Sequence, residues 1–427
     1  MAQTPLYRKL KPRPHGPSRE AVERNQRSRL FGAMLDALTK HDYGSTSVAE
    51  LGRLAGVSKR TFYEQFENKE TCFLATLQHV GACAQARLRS PTDQAGDDAL
   101  RAGIESAMKA GLRHPGAARV LFAEAHEVGL HAHSAVAAER VRLELALLTL
   151  LEAGSSQVRH SPLVTRGILC GLARVLLRDA ASPGGEAAAV AGRLARWADA
   201  YRSPAGADLD RIRGRSLVGP GPLRSTSSIG EDRARLLRAG AQLAVEHGHM
   251  HFTLAEVASR VGIREWIVRD RYESVEECLL DAVDVAGLEA AVATADAMRG
   301  DEPLIGVCRG LQALTGHLAA DPLFCIVARI PPGVGGVSFE QHLARLQKMF
   351  ADLFTKELDV DGPTEIVIEA LVGALWGVIR DHVAKGTLRA LPDAAPDLAY
   401  LLLAPVIGAR GAVDAISRSV DAAQQRL

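Results

Sequence analysis

At 427 residues, 47% apolar and 24% charged, the chain has globular proportions and the length of two or three domains. A formal charge of +1 excludes any polyanion-binding mechanism that relies on overall charge, so a basic surface has to be local. Six scattered cysteines without a CxxC pair or zinc-ligand spacing, no apolar targeting region and no long unbroken apolar run predict a cytoplasmic chain with no metal centre and no membrane span.

Residues 1–18 form a basic arm in which Arg8, Lys9, Lys11 and Arg13 precede the first acid, Glu20. Such an arm suits a phosphate track or a minor groove, and equally a solubilising tail. A helix follows over 19–41, with Val22, Leu30, Ala33, Met34, Ala37 and Leu38 recurring at three and four. Ser47 lies three before Glu50 and predicts a capped short helix through Leu51 and Leu54. Gly56 supplies a tight turn, Ser58 caps the next helix, and Asn68 caps a fourth that begins at Lys69.

Two short helices joined by a glycine turn make a helix-turn-helix, whose second helix can enter a major groove. On that second helix Phe62 and Phe66 are spaced for a core, which leaves Lys59, Arg60, Thr61 and Tyr63 outside. Lys and Arg suit phosphates or guanine edges, Thr a thymine methyl or a phosphate, and the Tyr hydroxyl a phosphate.

The stretch "TSVAELGRLAGVSKRTFYEQFENKE" resembles the DNA-binding domain of the TetR family of bacterial transcriptional regulators, over about residues 20–75. Gly44, Thr46-Ser47-Val48, Gly56-Val57-Ser58, Thr61-Phe62-Tyr63, Phe66 and Lys69-Glu70 carry the resemblance. It implies that Ser58 to Tyr63 form the recognition helix, with Tyr63 and Lys69 on phosphates and Thr46 in the contact set. It also implies a following helical domain that binds a small effector, apolar or amphipathic, and dimerises through its last two helices. Apolar helices near 98–112, 116–129, 134–153, 163–180 and 186–202 fit that plan.

Residues 203–228 are rich in Pro, Gly and Ser and read as a linker. Beyond it the chain repeats itself: residues 27–73 and 233–279 share eleven identities, among them Arg29/Arg235, Gly56/Gly262 and Cys72/Cys278. The predicted plan is therefore all-α, with two tandem modules. The first comprises a helix-turn-helix domain at 19–80 and a helical domain at 81–202. The second repeats this at 229–285 and 286–427, where "EIVIEALVGALWGVIRDHVAKG" and a helix from near Pro396 would close it.

The outer face differs in the second copy. Arg264, Glu265, Trp266, Ile267 and Arg269 replace Ser58 to Thr61 and Tyr63, and Val275 replaces Lys69. Arg264, Trp266, Arg269 and Arg271 are its candidate DNA contacts; the alternative is a structural or protein-contact face. One chain with two modules can act as a pseudo-dimer on an asymmetric operator, or two chains can present two first copies.

Histidines at 247, 249 and 251 read as a surface loop rather than a metal site, those at 126, 131 and 133 equally as loop residues or as part of a ligand or pH-sensing site, and "PPGVGGVS" at 331–338 as a connecting loop. No phosphate loop, dinucleotide fingerprint, zinc-protease motif or nucleophile elbow occurs, so neither catalytic residues nor a cofactor are expected. The expected function is a ligand-responsive transcriptional regulator, most simply a repressor, acting on double-stranded operator DNA.

Overall fold

The computed structural model describes residues 18–89, 99–124, 128–152, 159–181, 187–203, 205–214, 231–247, 252–300, 302–320, 336–358 and 365–425. Among them the regular structure is helical and no strand occurs. Most of the basic arm, Cys325, His126, His249, His251 and residues 331–335 lie outside the described residues.

The chain divides into two compact units. The first contains α1 (Arg19–Lys40), α2 (Val48–Ala55), α3 (Lys59–Gln65), α4 (Lys69–Arg89), α5 (Ala99–Arg113), α6 (Pro115–Phe122) and α7 (Leu130–Glu152). It ends with residues 172–202, which hold the second half of α8 (Pro162–Ala181) and α9 (Ala187–Asp199). Leu30, Met34, Leu38 and Phe62 are fully buried in its head, as the apolar spacing predicts, and Phe73 and Leu77 of α4 join them. The helix expected over 116–129 stops at Phe122, because Glu124 turns into the interior instead of continuing the helical face.

The second unit is built from residues 157–171 and 203–427. It contains α10 (Gly206–Arg213), α11 (Glu231–His247), α12 (Leu254–Val261), α13 (Glu265–Arg269), α14 (Val275–Met298), α15 (Pro303–Ala320) and α16 (Gly336–Glu357). It closes with α17 (Glu365–Ala384), a 3-10 turn over Leu388–Ala394 and α18 (Ala395–Gln424). Gly386 ends α17 in the left-handed region at φ 68°, a conformation that favours glycine. Gly408 breaks α18 with φ 77°.

The two compact units do not divide simply at 202/203, since residues 157–171 group with the second. Residues 206–213, assigned to the linker, form a helix with Leu209 and Ile212 buried. Two apolar residues three apart on one turn were enough to seat it. The first ten residues of α8 belong to the second unit, where they pack on its closing helices. There the Gly167 backbone lies against Leu401 and Gly377 lies against Cys170, at contacts a Cβ would overfill. Arg166 reaches Asp381 at 2.6 Å, and the Gly206 amide donates to the Arg159 carbonyl at 3.1 Å.

Asp397 is buried in the first turn of α18 and accepts a hydrogen bond from the Ser161 hydroxyl, with Arg213 Nε 3.3 Å from its other oxygen. Residues 388–424 are long and apolar enough to cross a membrane by length and composition. Within the unit, however, Leu398 to Ala404 are buried as core, which accounts for that apolar run.

Burial raises the Asp397 pKa above the ordinary carboxylate value, against the opposing pull of Arg213 and Ser161. The folded state thus holds this proton to higher pH than the unfolded chain, and the group removes stability as pH rises from about 3.8 through its raised pKa. Asp397→Asn lacks that titration. Urea unfolding across this pH range should show the variant gaining on the wild type as pH increases.

Candidate nucleic-acid interface

The first head is built around an aromatic cluster. Phe62 and Phe66 lie 5.9 Å apart between ring centroids, and Phe31 approaches Phe66 at 6.1 Å. The Arg27 guanidinium covers the Phe66 ring at 4.6 Å. This fixes the rotation of α3 about its own axis.

Ser47 accepts the Glu50 amide at 3.1 Å and Ser58 accepts the Thr61 amide at 3.0 Å, so the expected caps start α2 and α3. Asn68 and Thr71 cap each other at the start of α4, through 2.9 and 3.2 Å bonds. Gly56 turns the chain in the left-handed region at φ 60°. The Arg29 guanidinium donates to the carbonyls of Ala55 and Gly56 and so satisfies the end of α2 from α1.

With Phe62 inside, Lys59, Arg60 and Tyr63 are exposed side by side on α3. Tyr63 is about half exposed and stands edge-on against Phe62 at 5.5 Å. Arg60 folds back on Glu64 at 3.0 Å, an exposed pair of small energetic weight that a phosphate can displace. Thr61 is half-buried, its hydroxyl 3.0 Å from that of Ser58.

Two expected contacts sit elsewhere. Thr46 is buried, with its hydroxyl donating to the Asp42 carbonyl, so its side chain is not on the contact face. Lys69 turns inward: its ammonium donates to the carbonyls of Tyr43 at 2.7 Å and Thr46 at 2.8 Å and lies 4.0 Å from the Tyr43 ring centre. Two carbonyls and an aromatic face near one ammonium outcompete solvent for it.

Sequence reasoning missed Glu124. This buried carboxylate receives the Tyr43 amide at 3.1 Å and Arg119 Nε at 2.6 Å, and Arg119 also pairs with Asp42. The network joins α6 to the loop before α2. At its other end the Gly116 backbone packs on the Leu35 carbonyl, and its amide donates to Thr39 at 3.1 Å. A lone Glu at the end of an apolar helix gave no periodic signal.

Residues 33–76 match the family model described as bacterial regulatory proteins, tetR family. These residues are a TetR-type DNA-binding head. A solved structure of the fatty acid degradation regulator FadR from Bacillus halodurans is 19% identical, covering 40% of this chain and 94% of that one at a TM-score of 0.35. No curated protein matches the chain.

The second three-helix unit repeats the internal devices of the TetR-type head. Thr253 and Glu256 form a complete capping box, and Gly262 turns at φ 79°. Arg235 donates to the Val261 carbonyl at 3.1 Å, as Arg29 does at Ala55. Val268 and Tyr272 are buried where Phe62 and Phe66 stand in the first head.

Its outside does not follow. Arg264, Trp266, Arg269 and Arg271 are exposed, but Arg269 is paired with Glu265 at 2.6 Å and the neighbouring Arg260 with Glu246 at 2.6 Å. Residues 225–286 carry seven Lys and Arg against eleven Asp and Glu, whereas 19–80 carry nine against eight. The four expected contacts therefore do not make a cationic strip.

Removing Glu124 leaves Arg119 short of its buried partner and the Tyr43 amide without an acceptor. Glu124→Ala should destabilise the first unit by about 3 kcal/mol, the usual cost of breaking a buried ionic contact. Chemical denaturation followed by circular dichroism measures it.

Proposed function

We propose that the protein is a ligand-responsive transcriptional regulator, acting as a repressor, which reads operator DNA with α3 of its first head. The exposed row of Lys59, Arg60 and Tyr63 on a helix whose back is locked by Phe62 and Phe66 carries this reading. Lys59 and Arg60 contact phosphates or guanine edges, Thr61 a thymine methyl or a phosphate, and Tyr63 a phosphate. Ser58 acts through its cap. Lys69 acts by holding the loop before α2 rather than as a free cation.

The chain is a tandem of two related modules. Matching helix caps, glycine turns and the Arg29/Arg235 pair support this. The packing of residues 162–171 on α17 and α18 supports an intramolecular pairing of closing helices, a single-chain pseudo-dimer. The acidic surroundings of α13 favour DNA reading by first heads alone, with two chains supplying two of them. The helical body after each head holds the effector, a small apolar or amphipathic molecule whose binding shifts the populations of head positions.

Selection from a random duplex library by the full-length protein should enrich one kind of half-site, singly or as an inverted repeat. Two unlike half-sites at fixed spacing would show instead that α13 also reads DNA, and no enrichment would defeat the regulator reading. Lys59→Ala and Tyr63→Ala should each weaken binding to the selected duplex about tenfold. Lys59→Ala should also lower the salt dependence by about one unit of slope, the neutral Tyr63→Ala should leave the slope unchanged, and neither should alter helical content.

A further inference from the structure

The second head keeps its fold without using two of its largest apolar side chains. Trp266 is 62% exposed and its neighbour Ile267 39% exposed, while Val268 and Tyr272 on the inner side make the core contacts. The other two tryptophans, Trp197 and Trp376, are buried at 4% and 7%. Trp266 thus contributes nothing to the interior of its own head and stands at the position that Arg60 occupies in the first. An exposed tryptophan beside an exposed isoleucine is the kind of anchor that carries binding energy at protein interfaces.

Charge identifies what fits over it. Between 262 and 277 the chain has Arg264, Arg269 and Arg271 against Glu265, Asp270, Glu273, Glu276 and Glu277. Arg269 is internally neutralised by Glu265. A cavity of about 570 Å³ on the same head, beginning at Arg271 and Tyr272 just past α13, is lined further by Glu277, Asp281 and Asp284. Arg233 and the Tyr272 hydroxyl already serve Asp281, and His342 lies 3.2 Å from Asp284. Over 262–277 acids outnumber bases by five to three, a balance that disfavours a phosphate backbone and suits a cationic segment carrying an apolar anchor.

We propose that the exposed face of α13 is a docking site for a partner protein, recognised through a segment that sets an apolar side chain on Trp266 and Ile267 and presents Lys or Arg to the surrounding carboxylates. The proposal does not depend on DNA reading by α3. It turns the second head from a second DNA reader into the point where another protein joins the complex.

A random peptide library displayed on phage, selected on the full-length protein, tests it. Enriched peptides should combine Lys or Arg with aromatic or aliphatic residues. A synthetic peptide of the enriched sequence should bind about tenfold more weakly to Trp266→Ala, and more weakly again to the Trp266→Ala, Glu273→Lys double variant. Trp266 is the exposed tryptophan, so binding should also shift the fluorescence of the wild type but not of Trp266→Phe. Circular dichroism should be unchanged in each variant, since Val268 and Tyr272 remain. Failure to enrich a cationic motif, or binding that survives Trp266→Ala, overturns the proposal. So does a tenfold loss of affinity for selected duplex DNA in Trp266→Ala, which would assign the face to nucleic acid.

Discussion

A helix that stops inside a folded head leaves its last carbonyls without helical donors, and the geometry of both heads follows from how that deficit is met. In the first head the guanidinium of Arg29 crosses from α1 to the carbonyls of Ala55 and Gly56. In the second, Arg235 makes the corresponding reach from α11 to Val261. Each arginine ties the long first helix to the turn that aims the short third one. The left-handed glycine at the turn and the serine or threonine caps then have only local work to do. Arg29 is itself mostly buried, with burial holding its pKa below the ordinary arginine value, so this cation belongs to the fold and not to the contact face.

The two three-helix units agree inside and differ outside. Phe62 and Phe66 become Val268 and Tyr272, which change size but still fill the interior. The Arg27 guanidinium on the Phe66 ring becomes Arg233 on Asp281, with the Tyr272 hydroxyl donating to the same carboxylate at 2.5 Å. A cation–π contact has been replaced by an ion pair in the same place, and the head closes either way. On the outer face no such equivalence holds, since Lys59 and Arg60 give way to Glu265 and Trp266. Constraint on packing and release of the surface are what a retained scaffold with a changed partner would show.

Much of this was legible in the sequence where the signal is local. Apolar spacing gave the extent of α1, and caps gave the starts of α2, α3 and α4, because each depends on neighbours a few positions away. Long-range geometry was not legible. The site of Lys69 depends on carbonyls of Tyr43 and Thr46, which the loop delivers only once folded. Thr46 looks like a surface threonine until that loop buries it. Glu124 reads as the solvated end of a helix, yet it is the acceptor that fixes Tyr43 and Arg119. The composition of 203–228 suggested a linker, and only tertiary contact shows that Leu209 and Ile212 have an interior to enter.

The division of α8 between units has a consequence for synthesis. Residues 157–171 leave the ribosome some two hundred positions ahead of α17 and α18, the helices against which Gly167 and Cys170 come to rest. The apolar side of that half-helix must wait until those helices arrive. Closing so long a loop is slow relative to local helix formation. The second unit therefore cannot complete until α17 and α18 have been made, while the head formed by α1 to α4 has all its own core residues well before that. No single cut in the polypeptide yields both units whole.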